Sequence, residues 1–182
     1  SSSEMDTLKF VLEPQMQVNS QEGPVGILRV QDQMIIHMIL ANRWQRPIYY
    51  AATVAGNNML GELREYLRLD GMVYKLTPYK NPQFDPTQME NLLTKTYQYR
   101  GLNDTTSYLD EMTISLLQNY RSSFLQLADY YAAQGNSAKA KAIVDKMNTL
   151  ISPKVVPIDN PRIKLQIAIL TKFTNIDLVN PE

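Results

Sequence analysis

The chain carries one histidine and no cysteine among its 182 residues. With no thiol, disulfides and thiolate metal sites are excluded. With one imidazole, His37, neither a multi-histidine metal site nor a Ser-His-Asp triad with a second histidine in reserve is available. His37 could act alone as a base, although a half-exposed helix residue beside Gln33 accounts for it better. Gly56-Asn57-Asn58-Met59-Leu60-Gly61 follows an expected strand and opens an expected helix, where phosphate loops sit. A P-loop would continue with Lys-Ser/Thr; this chain has Glu62-Leu63, and the spacing does not match G-x-G-x-x-G either. Backbone amides at that point could still hold an anion, which makes Gly56 and Asn57 ligand-binding candidates.

Carboxylates give no stronger signal. Glu62, Glu65 and Asp70 are spaced by three and five residues, which does not set all three on one helix face. Arg64 and Arg68 lie beside the first two, so surface ion pairing explains them. Asn103-Asp104-Thr105 fits the N-x-[ST] pattern, which is too common to weigh. The aromatic content says more. Tyr49, Tyr50, Tyr66, Tyr74 and Tyr79 fall on or near expected strands, with Trp44 and Arg46 adjacent. Aromatic rings and arginine together can bind a sugar face or an anion, and they pack equally well at the edge of a core. Asn42, Trp44, Arg46 and Tyr49 are therefore the remaining ligand-binding candidates. No catalytic residue, metal ligand or cofactor is assigned.

Charge narrows the partners. Eighteen basic residues balance eighteen acidic ones, which argues against a nucleic-acid surface and a polybasic membrane anchor. No run of about 18 apolar residues is present to cross a bilayer. The opening SSSEMDTLKF lacks the basic-then-apolar pattern of a secretory signal. The three serines read as a scar or linker, so a fragment of a longer protein is expected.

These residues are positioned by an expected series of strands and helices. Residues 7–13 read as a strand and 14–26 as a loop. From Val30 to Trp44 the sequence is a dense apolar helix, expected to be covered on most sides. Pro47 ends it, and Pro47–Val54 reads as a central strand apolar on both faces. Residues 58–69 read as a helix capped by Gly71, and 72–78 as a half-exposed strand. Asp85-Pro86 starts a short helix. The expected class is α/β, with mixed α+β as the alternative: a small three-stranded, partly parallel sheet flanked by helices. Composition changes near residue 106. Helices are expected over 107–134, 138–151 and 161–173. The expected domains are thus 1–106, α/β, and 107–182, helical and packed on it.

Within the helical part, Phe124, Leu127, Ala128, Tyr131, Gly135, Ala140, Val144 and Met147 resemble one tetratricopeptide repeat. Pro153 falls one residue later than the usual proline. A single repeat offers almost no concave surface, so a packing hairpin is the better reading, ahead of a peptide groove.

Two blocks carry a wider resemblance. One is Ala41-Asn42-Arg43-Trp44-Gln45-Arg46-Pro47-Ile48-Tyr49-Tyr50-Ala51, with Gln31-Asp32-Gln33-Met34 before it. The other is Tyr66-Leu67-Arg68-Leu69-Asp70-Gly71-Met72-Val73-Tyr74-Lys75-Leu76. Together they resemble the soluble C-terminal region of a bacterial polytopic membrane-protein family, long filed as a domain of unknown function. That family is similar to protein O-mannosyltransferases and often ends in tetratricopeptide-like helices. The resemblance covers about residues 25–150, with Asp70 where members often have Glu. It implies a non-catalytic accessory domain on the extracytoplasmic (periplasmic) side of the inner membrane, shaping acceptor access or protein contacts. The implied partner is the parent's own membrane-embedded N-terminal part, with protein or peptide as a further partner. Direct membrane insertion by this segment and nucleic-acid binding are not expected. The chemistry of such transferases lies in their membrane part, so no catalytic residue transfers to this sequence. The alternatives are a free-standing tetratricopeptide-like interaction module and a small soluble α/β enzyme binding a phosphorylated ligand.

Overall fold

A computed structural model of the chain describes residue 14 and residues 16–54 and 58–174. The expected strand over 7–13 lies outside the described residues. The fold is mixed α+β, and the chain divides into two compact units. The first runs to Leu69 and resumes at Val73–Phe84. The second comprises Asp70–Met72 and everything from Asp85.

In the first unit, the expected loop over 14–26 is instead an antiparallel hairpin of β1 (Met16–Ser20) and β2 (Gly23–Ile27). Two residues close it, with Gly23 at φ 116° and Ser20 Oγ donating to the Gly23 carbonyl at 2.8 Å. Pro24 is tolerated because a two-stranded ribbon has only edges. Helix α1 (Val30–Asn42) follows. Arg29 clasps Asp32 in its first turn with two hydrogen bonds, 2.9 and 3.0 Å. The guanidinium holds the Asp32 carboxyl below the usual carboxylate range.

The second sheet has the order β3 (Tyr49–Ala51), β5 (Val73–Leu76), β4 (Leu67–Asp70). Three expectations are corrected here. The sheet is antiparallel, not partly parallel: β3 pairs β5 in the register Tyr50↔Tyr74. β4 and β5 are joined by only two residues, too few for a parallel crossover. The expected helix over 58–69 is a 3-10 helix, Gly61–Tyr66, that runs straight into β4. Leu60, Leu63 and Tyr66 recur every third residue, and 3-10 geometry stacks such positions on one side. Finally, β3 is a short edge strand rather than a central one, with Tyr49 48% exposed.

The core of this unit is Leu60, Leu63, Tyr66 and Leu76, with Ile35, Ile36 and Ile39 of α1 and Ile48, Tyr50 and Leu67 packed against it. Each fully buried leucine contributes about 1.5–3 kcal/mol.

The second unit is helical. Asp85 caps α2 (Pro86–Asn91), accepting from the Gln88 amide at 2.9 Å, and a π-helical turn, Leu92–Thr96, follows. Asp110 caps α3 (Glu111–Ala133) through the Thr113 amide at 3.0 Å. Gly135, at φ 74°, turns the chain into α4 (Ser137–Leu150), and α5 (Pro161–Thr174) follows a proline-containing connection. Phe124, Leu127, Ala128, Ala140, Val144 and Met147 are fully buried. The small pair Ala128 and Ala140 lets α3 and α4 approach closely. Gly71 belongs to this unit: its amide meets the Met89 sulfur at 3.0 Å and its carbonyl accepts from Ser123 Oγ at 2.8 Å. At φ 65°, with Tyr97 where a Cβ would go, this position requires glycine.

Arg121 on α3 is completely buried without a carboxylate partner among the described residues. Its guanidinium donates to the carbonyls of Ile151 at 2.9 Å and Val156 at 2.7 Å. Burial lowers its pKa to about 10, which leaves it protonated at neutral pH. It thus ties the end of α4 and the following connection to α3. Arg121→Ala leaves both carbonyls unpaired beside a cavity, and should destabilise the helical unit by about 3 kcal/mol. Urea unfolding followed by far-UV circular dichroism measures this, and a loss below about 1 kcal/mol would contradict the assignment.

Candidate functional site

The junction after α1 contains three of the six candidates, Asn42, Trp44 and Arg46. The Asn42 side chain closes it: Nδ2 donates to the Arg46 carbonyl at 2.6 Å, and the Arg46 amide donates to Oδ1 at 3.2 Å. The Gln45 amide meets the Asn42 carbonyl at 2.8 Å. Closing so tight a loop requires left-handed backbone at Arg43, φ 47°, and Trp44, φ 58°. Neither residue is a glycine, and each such conformation costs about 1–3 kcal/mol. The clamp holds Trp44 37% exposed, between exposed Arg43 and Arg46.

Of the four candidates among the described residues, the structure joins two directly. Asn42 and Arg46 are joined, and Trp44 lies within their loop. Tyr49 is on the exposed edge strand, and it makes no ring contact with Trp44 among the described residues. Gly56 and Asn57 lie outside the described residues. Their described flanks line a cavity of about 380 Å³ with Ala52, Val54, Met59, Arg64, Leu67 and Tyr74. His37 is exposed and lines an open depression with Leu40, Ala41, Arg43 and Gln45. Of the carboxylates by the 3-10 helix, Glu65 pairs with Lys80 at 2.6 Å. The pair is exposed and therefore contributes little. No group of three or more His, Asp or Glu side chains among the described residues could hold a metal ion.

The main correction concerns α1. Among the described residues, its apolar surface is covered on one side only. Ile35, Ile36 and Ile39 face the core, whereas Val30, Met34, Met38 and Leu40 are 73, 61, 60 and 67% exposed. Val30, Met34, Met38 and Ala41 fall on one stripe, opposite Ile36 and Ile39. Composition showed a helix apolar nearly all round; it could not show that, among the described residues, only one side has a neighbour.

Two features of the helical unit escaped the sequence. One is the edge-to-face set of Tyr97 and Tyr99 on Tyr120, with ring centroids 5.9 and 5.7 Å apart. Burial raises the Tyr99 hydroxyl pKa, and that hydroxyl donates to the Leu93 carbonyl at 2.8 Å. The other is a groove of about 430 Å³ between α3 and α5. It is lined by Asp129, Ala132, Arg162, Leu165, Gln166 and Ile169, among others. Asp129 accepts from Gln166 Nε2 at 2.6 Å, and burial raises its pKa.

A family model described as TMEM260-associated domain 2 matches residues 4–96, just over half of the chain. The match takes in α1, the Asn42–Arg46 junction and both sheets, and stops before α3. No curated protein and no solved structure matches the chain.

The clamp generates a paired prediction. Asn42→Ala should lower stability by about 1–2 kcal/mol through two lost hydrogen bonds. Arg43→Gly should raise it by about 0.5–1 kcal/mol by relieving the left-handed backbone. Thermal unfolding followed by the fluorescence of Trp44, the single tryptophan, reads both. Equal shifts of the same sign would contradict the clamp.

Proposed function

Because the chain belongs to the TMEM260-associated domain 2 family, we propose that it is a non-catalytic accessory domain of a membrane glycosyltransferase-like protein. It lies on the extracytoplasmic side and shapes acceptor access or protein contacts. The observation that carries this reading is the uncovered apolar side of α1 within the matched region. A stripe of large aliphatic side chains is a surface for contact, which suits a domain associated with a membrane protein. The glycosyltransferase-like character of the parent rests on the resemblance of residues 25–150 to that family. No helix among the described residues is long and apolar enough to cross a membrane, so the membrane-embedded part would be supplied by the rest of the parent.

A second reading is favoured by the groove between α3 and α5. There the chain is an interaction module, and exposed Leu165 and Ile169 take an apolar peptide segment with a basic side chain set against Asp129.

The test compares the full parent with a form lacking residues 1–182, in membranes supplied with a lipid-linked sugar. The expected result is that donor turnover persists without the domain while acceptor modification falls at least tenfold. The isolated chain should transfer nothing. Transfer by the isolated chain, or unchanged acceptor modification after deletion, would overturn the reading.

A further inference from the structure

We infer that the outward side of α1, with the clamped loop that follows it, docks on a bilayer surface bearing anionic headgroups. The inference rests on the reading of the chain as an accessory domain of a membrane protein, and it names what that domain touches.

The argument starts from the two apolar sides of α1. One is filled by the chain's own core. The other presents Val30, Met34, Met38 and Ala41 in a stripe, flanked by exposed His37 and Gln33 on one side and by Gln31 on the other. A helix of 13 residues is about 20 Å long and about 10 Å wide, so the stripe offers about 200 Å². A stable protein interface takes about 800 Å² from each partner, so this stripe alone is too small to hold a second copy.

Charge points the same way. Between Val30 and Val54 the only acid is Asp32, and it is buried against Arg29. The bases of the segment, Arg43 and Arg46, are exposed, and neither has an ion-pair partner among the described residues. A two-fold dimer through this side would bring like charges together. An anionic headgroup layer would attract them instead. Arg43 shares its depression with Leu40 and Ala41, so cation and apolar stripe are contiguous. Trp44, 37% exposed in the loop that Asn42 closes, lies between the two arginines in sequence and has the amphipathic ring that settles at headgroup level. Aliphatic stripe, tryptophan and arginine in this order form an interfacial contact without a membrane span.

The test uses the whole 182-residue chain and its own tryptophan. Vesicles of phosphatidylcholine containing phosphatidylglycerol are titrated in, with vesicles of phosphatidylcholine alone as the second arm. The expected result is a blue shift of Trp44 emission and co-flotation with the anionic vesicles, weakened by salt. Met34→Gln/Met38→Gln should reduce partitioning roughly tenfold or more. Arg43→Gln/Arg46→Gln should reduce it several-fold and remove the salt dependence. Both variants alter exposed side chains, and an unchanged thermal midpoint establishes that they are folded. Absence of any shift with anionic vesicles would overturn the proposal. So would binding that Met34→Gln/Met38→Gln leaves intact, or a dimer in sedimentation that this variant dissolves. None of these outcomes bears on donor turnover or acceptor modification in the parent, so the accessory reading stands or falls separately.

Discussion

The first unit depends on one contact: Ile35, Ile36 and Ile39 of α1 against Leu60, Leu63, Tyr66 and Leu76. The two sheets are short, and a hairpin or three short strands in isolation bury too little to be stable. The isoleucine face supplies the missing cover to the three-stranded sheet, while the β1–β2 hairpin is largely exposed. It also explains why the segment from Gly61 is a 3-10 helix and not a longer α-helix, since three-residue spacing sets Leu60, Leu63 and Tyr66 toward α1 within seven residues. The same contact orients α1, and so decides which of its apolar sides is left for something else.

The helical unit solves a different problem. Its helices are closely packed through Ala128 and Ala140, but the connection from α4 to α5 carries carbonyls that no helix can satisfy. Arg121 supplies the donors from α3. A cation buried against two backbone carbonyls and the Asn148 side-chain oxygen, with no carboxylate among the described residues, is held by geometry, because moving either backbone carbonyl weakens what balances the charge. This fixes where α5 begins and hence the groove that α5 forms with α3.

Local signals were legible in the sequence. Asp85 with Pro86, and Gly135, each mark a helix end through atoms within a few residues, and each does so in the structure. The Asn42–Arg46 block was legible as a helix-to-strand corner, though not its left-handed backbone, which follows from where the Asn42 amide reaches. Asp70-Gly71 was misread because a glycine after an apolar run fits a helix end and a hairpin turn equally. The alternation from Tyr66 to Leu76 on both sides of it favours the hairpin. Arg121 was illegible because its acceptors lie 27, 30 and 35 residues away. The exposure of α1 was illegible for a related reason: hydrophobic periodicity tells which residues want cover, and not whether the cover is part of the same chain. The grouping of Asn42, Trp44 and Arg46 was therefore visible, while Gly56 and Asn57 fall outside the described residues.

The absence of cysteine allows a direct measurement of whether the outward side of α1 is covered in the assembled parent. Met38→Cys and, as a control on the helical unit, Met112→Cys replace side chains that are 60 and 75% exposed. Each is labelled with an aqueous maleimide, in the isolated chain and in the membrane-embedded parent. The account predicts that both react readily in the isolated chain. In the parent, Met38→Cys should be protected while Met112→Cys still reacts. Equal reactivity of Met38→Cys in the two settings would contradict it.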